Sequence, residues 1–405
     1  MTRTQQIAVG TVVVAILAIL ALFFVLRSGS GDEAPQDDGS GIFPVSLGKD
    51  VSGVPARGAP AGTGNTGSDT SLSNGEPSPA RKLFTAGVAS AVAESGDKPS
   101  VRFIERSTGH IFEASPQTGD VRKLSNTTVR GIVSASWSSD GKLVAISAQD
   151  PETGLLGTAA YALPAATSTE ITIIPTAFPR AALDFTFSPD GKKAFVLLPS
   201  GSGVVGQIFD MVSKKSVPLF SSPLTEWNIS WTSPGTILLG TKASSGVEGA
   251  IIALDVKTGA QTELLGELPG IVGLLSPSGK ELLYSQSSGN SLSTAMLDVG
   301  KSSRPYPITT FPEKCRWTQS NALFCAVPTS LPTTALPDAW YKGLFHTNDE
   351  LWRFSEDGDP ELVLAPEREG IRELLDITKL TIDTTGSYLY FINKLDGALW
   401  SVEVR

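Results

Sequence analysis

From about residue 81 onward, apolar residues alternate with small or polar ones in short runs, and the runs come in pairs around a tight turn. Alternation with period two is the pattern of half-buried strands. The clearest pairs turn at Ala135-Ser136-Trp137-Ser138-Ser139-Asp140-Gly141-Lys142 and at Phe185-Thr186-Phe187-Ser188-Pro189-Asp190-Gly191-Lys192. Asp-Gly and Ser-Gly pairs supply the positive φ that a tight hairpin needs. The second repeat predicts four strands, from Ile132 to Trp137, Leu143 to Ser147, Thr158 to Leu163 and Glu170 to Ile174.

The turn residues recur at Gly96, Gly141, Gly191, Gly235, Gly279, Asn321 and Gly386. Most spacings fall in the forties, which with four strands per repeat predicts a β-propeller. The expected fold is all-β: seven blades of four antiparallel strands, called a to d from the axis outwards, over residues 81–405. Outer-strand candidates are Val121 to Leu124, Glu170 to Ile173, Ser216 to Leu219, Thr262 to Leu265, Arg304 to Ile308 and Glu361 to Leu364. The last repeat, Leu380 to Arg405, holds only three strands. Residues 81–86 are therefore expected to complete the last blade, joining the chain ends and removing an open edge.

Upstream the pattern changes twice. Ile7 to Leu26 carries no charge, and at 1.5 Å per residue it is about 30 Å long, the thickness of a bilayer core. It is longer than the apolar region of a signal peptide, so an uncleaved transmembrane helix in the lipid bilayer is expected, with residues 1–6 on the cytoplasmic side. Lys and Arg counts around the span nearly tie. Orientation rests instead on a strand-rich cargo with two well-placed cysteines, which suits the oxidising outer side of a cell membrane. Residues 27–80 are rich in Gly, Ser, Pro, Asp and Thr, too polar to offset ordering entropy, and read as a disordered linker reaching ~40 Å.

Of the 405 residues 40% are hydrophobic, enough for a large core. With 41 acidic and 32 basic residues the net charge is -9, and no basic stripe for nucleic acid is present. Two histidines, His110 and His346, rule out a His-rich metal cage. There is no Gly-x-Ser-x-Gly elbow, His-Glu-x-x-His helix or phosphate loop, and no cofactor is expected. Glu356-Asp357-Gly358-Asp359 lacks the ligand series of a calcium loop and reads as a solvated turn. His110 is given no role.

The Trp/Phe-Ser-Pro/Ser-Asp-Gly-Lys phrase resembles the repeat of TolB-type and other WD40-like bacterial propellers, over roughly residues 81–405. The first and sixth repeats depart from its Asp-Gly pair. The sixth blade, with Cys315-Arg316-Trp317, Cys325-Ala326-Val327-Pro328 and Pro337-Asp338-Ala339-Trp340-Tyr341-Lys342-Gly343, also resembles single-span propellers of small-genome bacteria, a group without an assigned activity.

Cys315 and Cys325 flank the sixth turn. Pairing strands a and b around Gln319 to Asn321 sets them opposite each other, within reach of a disulfide. Strands alternate in direction, so b–c and d–a connections share one face of the disc. Most b–c loops are short. Pro328 to Glu350 is long and carries Asp338, Trp340, Tyr341, Lys342, His346 and Asp349, the candidate binding residues. Its aromatic groups are expected to fold down and seal one mouth of the ring. His346, Asp338 and Asp349 read as solvated polar side chains of a loop before they read as a metal or acid–base cluster.

The expected function is non-catalytic: an extracytoplasmic scaffold or docking module of the cell envelope, met by a protein partner on the face that bears this loop. Rival readings are an envelope glycan-binding or glycan-cleaving enzyme, and a sensor reporting through a membrane partner. Six residues before the span leave little room for an output domain.

Overall fold

The computed structural model describes residues 78–94, 98–163, 172–355 and 360–404. The apolar run Ile7–Leu26, the linker up to residue 77, the Gly96 turn and Glu356–Asp359 lie outside the described residues. Among the described residues no helix is long and apolar enough to cross a membrane.

The described residues form seven four-stranded antiparallel sheets. Blade one runs from inner strand Val88–Ala93 to outer strand Val121–Lys123, blade two from Ile132–Trp137 to Pro175–Thr176, and blade three from Asp184–Phe187 to Ser216–Ser222. Blade four runs from Trp227–Ser233 to Gln261–Pro269, blade five from Val272–Leu275 to Ser303–Pro305, and blade six from Cys315–Trp317 to Pro360–Leu364. Blade seven takes Ile377–Ile382, Tyr388–Asn393 and Leu399–Glu403 from the end of the chain, and its fourth strand, Ala80–Phe84, from the start of the described region. Ala80 faces Val402, Arg81 faces Ser401, Lys82 faces Trp400 and Phe84 faces Leu399, with a bulge at Leu83. The expected closure is therefore present, beginning one residue earlier than the sequence pattern suggested.

A recurring side chain explains the repeated phrase. The Ser138 hydroxyl donates to Asp140 Oδ1 at 2.6 Å and accepts from the Leu143 amide at 2.9 Å, while Lys142 N donates to Asp140 at 3.1 Å. Ser188 and Asp190 repeat this arrangement in blade three. Ser276, Thr318 and Asp383 each accept an amide hydrogen from the start of strand b in blades five, six and seven. The glycine, or Asn321, then takes the left-handed conformation, with φ between 59° and 75° at Gly141, Gly191, Gly279, Asn321 and Gly386. Gly235 does not: it follows Pro234 in the turn between the paired Ser233 and Thr236.

The core lies between blades. Ile104 of blade one packs in one cluster with Val144 and Ile146 of blade two. Phe195 and Val204 of blade three share another with Trp231 and Ile237 of blade four. The seam is closed in the same way: Leu83, Tyr390 and Leu399 of blade seven pack with Val101 and Phe103 of blade one. The inner strands of blades seven and one also touch.

One outer strand is shifted. The sequence places strand d of blade two at Glu170–Ile174, but the ladder forms at Pro175–Thr176, opposite Tyr161 and Ala160. Ile173 is drawn inward instead, with both its backbone groups bonded to Thr127 Oγ1 at 2.9 and 3.1 Å. Glu170 and Ile171 lie outside the described residues.

Leu83 is the apolar plug of the seam. Truncation of a buried leucine costs about 2–4 kcal/mol, so Leu83→Ala should lower the urea midpoint accordingly. Val217→Ala, on an exposed position of an outer strand, should change stability by less than about 0.5 kcal/mol.

Candidate functional site

Strand b of blade six ends at Pro328 and strand c begins at Asp349. Prolines at 332 and 337 keep the intervening chain out of a ladder. After a cis Leu336-Pro337 bond it forms one short helix, α1, over Asp338–Tyr341, and turns back at Gly343 with φ of 69°. The loop spreads over its own face of the disc. Asp338 accepts from Ser244 Oγ at 2.9 Å and from the Ser245 amide at 2.6 Å, both in the b–c turn of blade four. The Leu336 carbonyl accepts from Ser287 of blade five. Trp340, only 3% exposed, stacks on Phe311 at 4.5 Å and 8°. The carbonyl of Trp340 accepts from Lys394 of blade seven, whose ammonium also stands 4.0 Å over the indole.

Beneath this lid lies a buried charge cluster. Lys314, from the 3₁₀ turn Pro312–Lys314, is fully buried. Its ammonium donates to Asp349 Oδ2 and Asp376 Oδ1, each at 2.6 Å, to Thr347 Oγ1 at 2.8 Å and to the Ile377 carbonyl at 3.2 Å. Asp376 also accepts from Trp340 Nε1 at 3.1–3.2 Å and from Thr347 Oγ1 at 3.0 Å, and lies 3.2 Å from His346 Nδ1. Its own amide donates to Asn393 Oδ1 at 3.0 Å. Asp349 Oδ2 further accepts from the Ile377 amide at 2.7 Å. A buried ion is tolerated only when such partners replace its water.

The two carboxylates share one cation and separate electrostatically. Burial pushes Asp376 up, but the Lys314 charge and the bonds from Lys314, Trp340 and Thr347 outweigh it and hold the carboxyl below its usual range. At Asp349 burial wins over Lys314 and the pKa is raised; Asp349 Oδ1 has no hydrogen-bond partner. The arrangement ties three separated segments of blades six and seven together. It presents neither carboxylate to a substrate, since both are fully buried.

The six candidate residues are thus dispersed. Trp340, His346 and Asp349 converge on the Lys314 cluster. Asp338 points to blade four. Tyr341, partly exposed, donates to Glu313, and desolvation together with the Glu313 carboxylate pushes the phenol far up. Lys342 is exposed. His346, Asp338 and Asp349 do not meet, and Asp349 is not a surface group, because the ammonium of Lys314 draws it inward. Among the described residues no group of three or more His, Cys, Asp or Glu could hold a metal ion. Lys314, Thr347 and Asp376 were not singled out by sequence. Their signal is one of position only, since each lies just ahead of a strand. Cys315 and Cys325 face each other across strands a and b and form a disulfide.

Around the lid the same face carries exposed aliphatic side chains on loop tips. Leu155 and Leu156 come from blade two, Leu183 from the entry to blade three, and Leu224 and Val247 from blade four. Leu344 of the lid is 73% exposed, and Leu374 and Leu395 of blade seven join it.

No protein-family model and no curated protein matches the sequence. Solved propeller structures do match the fold. The β-propeller domain of the Trilobed protease from Pyrococcus furiosus, described as having an open velcro topology, aligns with 79% of this chain and 95% of its own, at 11% identity and a TM-score of 0.52. Hydrazine synthase from Kuenenia stuttgartiensis aligns over 79% and 96%, at 10% identity and a TM-score of 0.50. TolB from Acinetobacter baumannii is also among the matches, over 80% and 65%, at 14% identity and a TM-score of 0.41. At these identities the likeness is one of fold.

The cluster makes acid sensitivity calculable in sign. The depressed pKa of Asp376 adds stability that is complete above its unfolded value near 4 and is lost as pH falls through the lower folded value. Asp349 has the opposite sign: its contribution is present below its unfolded value and is lost as pH rises through the raised folded one. Asp376→Asn should cost about 3–5 kcal/mol at pH 7, the usual penalty for breaking a buried pair. Denaturant titrations at pH 7 and pH 3 should show that deficit shrinking in acid.

Proposed function

We propose that this protein is a membrane-anchored, extracytoplasmic propeller that binds a protein partner of the cell envelope without catalysing a reaction. One observation carries the reading: the exposed aliphatic tips concentrate on the lid-bearing face, drawn from blades two, three, four, six and seven. Large exposed apolar patches on soluble domains mark interaction surfaces. Aliphatic side chains on a wide face suit a flat or gently curved protein surface better than a small substrate.

The chemistry under the lid supports the same reading. A glycan-cleaving enzyme needs two carboxylates flanking an accessible bond. The pair beneath the lid, Asp349 and Asp376, is fully buried on one lysine. Asp338, Trp340 and Thr347 of the lid spend their polar atoms on the protein itself. Anchoring rests on the uncharged run Ile7–Leu26. An outer location rests on that run together with the Cys315–Cys325 bridge, a bond that persists in oxidising compartments.

A solubilised envelope extract passed over the immobilised chain tests the surface. A variant with Leu155, Leu344 and Leu395 changed to Ser should lose the partners that the native chain retains, while its melting temperature changes little. Val212→Ser, an exposed position at the c–d turn of blade three on the opposite face, should keep them. Equal retention by the triple variant would refute the proposed face.

A further inference from the structure

The opposite face holds a hollow of about 710 Å³, walled by the a–b turns of blades two, three, six and seven and by the end of the inner strand of blade one. Arg316 lines it. This residue is the middle one of inner strand Cys315–Trp317, and its two neighbours are buried in the core shared by blades five and six. Strand alternation therefore turns Arg316 away from that core. Its side chain is open to solvent inside the hollow, and no charged group acts on it. Among the described residues it has neither ion pair nor hydrogen bond.

The rest of the wall leaves that charge uncompensated. Two acids belong to it, Asp140 and Asp383, and both are engaged by their own hairpins. Asp140 Oδ1 accepts from Ser138 and from the Lys142 amide, and its other oxygen faces Lys142 at 3.6 Å. Asp383 Oδ1 accepts from the Ser387 and Tyr388 amides, and its Oδ2 from Thr385. The second arginine of the wall, Arg353, is only 3.4 Å from Glu361 and lies over the Phe324 ring at 6.0 Å.

A guanidinium with no counter-charge keeps its donors free for a ligand, and its planar fork matches a carboxylate through two parallel hydrogen bonds. The hollow has the volume of a small-ligand site. We propose that it is a carboxylate-binding site centred on Arg316. The ligand is an organic carboxylate, carried either by a small free acid or by an acidic side chain of a peptide. The site faces away from the lid, so it stands or falls separately from the docking surface proposed above.

Calorimetric titration of the full chain in detergent tests this with glutarate, hexaglutamate and, as the uncharged control, hexaglutamine. At least one carboxylate probe should bind saturably, and its affinity should fall more than tenfold in Arg316→Gln while Arg316→Lys keeps part of it. Binding of glutarate alone assigns the site to small acids; binding of hexaglutamate alone assigns it to acidic peptides. Arg316→Gln should melt no lower than the native chain, because the side chain it replaces has no partner. No binding of either acid, unchanged affinity in Arg316→Gln, or hexaglutamine binding as tightly as hexaglutamate would each overturn the proposal.

Discussion

A ring of blades has one seam where covalent continuity cannot help, and here that seam lies inside blade seven. Three strands arrive from the end of the chain and the fourth from residues 80–84. Without that fourth strand, Leu399–Glu403 would expose a row of unpaired backbone groups, and Tyr390 and Leu399 would lose the cover of Leu83. Because each core cluster is shared by two blades, no blade buries its apolar surface alone. Every other feature of the molecule therefore depends on a ladder of a few residue pairs between distant parts of the chain.

The lid adds a second tie close to the seam. Lys314 precedes blade six, Asp349 opens its strand c, and Asp376 precedes blade seven, so one ammonium holds three segments at the same face. Trp340 closes over it, stacked on Phe311 and bonded to Asp376. The long loop thus acts as a brace across blades four to seven. It leaves Leu344 outside, exposed beside Lys342. The two faces consequently differ in kind: one is broad and aliphatic, the other is hollow and carries an unpaired arginine.

The fold was legible because its information is local. Ser138, Asp140 and Gly141 fix one hairpin within a few residues, and a copy of that phrase appears again at Ser188, Asp190 and Gly191. The disulfide was legible for the same reason, since hairpin register alone sets Cys315 opposite Cys325. The outer strand of blade two was not, because Thr127, more than forty residues away, captures Ile173 and moves the ladder on to Pro175. The charge cluster was equally hidden. Lys314, Asp349 and Asp376 lie in three segments whose local pattern says only that strands are about to begin, and Asp349 next to Glu350 looks like any polar loop end. Arg316 reads locally as an ordinary polar position between two apolar ones. Its isolation emerges only when five blades close around it.

Seam closure is tested most directly by a paired substitution, Arg81→Cys with Ser401→Cys, at residues that face each other across the closing ladder. After mild oxidation and proteolysis, mass mapping should show a nearly complete 81–401 crosslink, with Cys315 still joined to Cys325. The crosslinked protein should withstand more denaturant than its reduced form, because the bridge closes most of the chain into one loop. Absence of the 81–401 crosslink under conditions that preserve the native 315–325 bridge would contradict the closed ring.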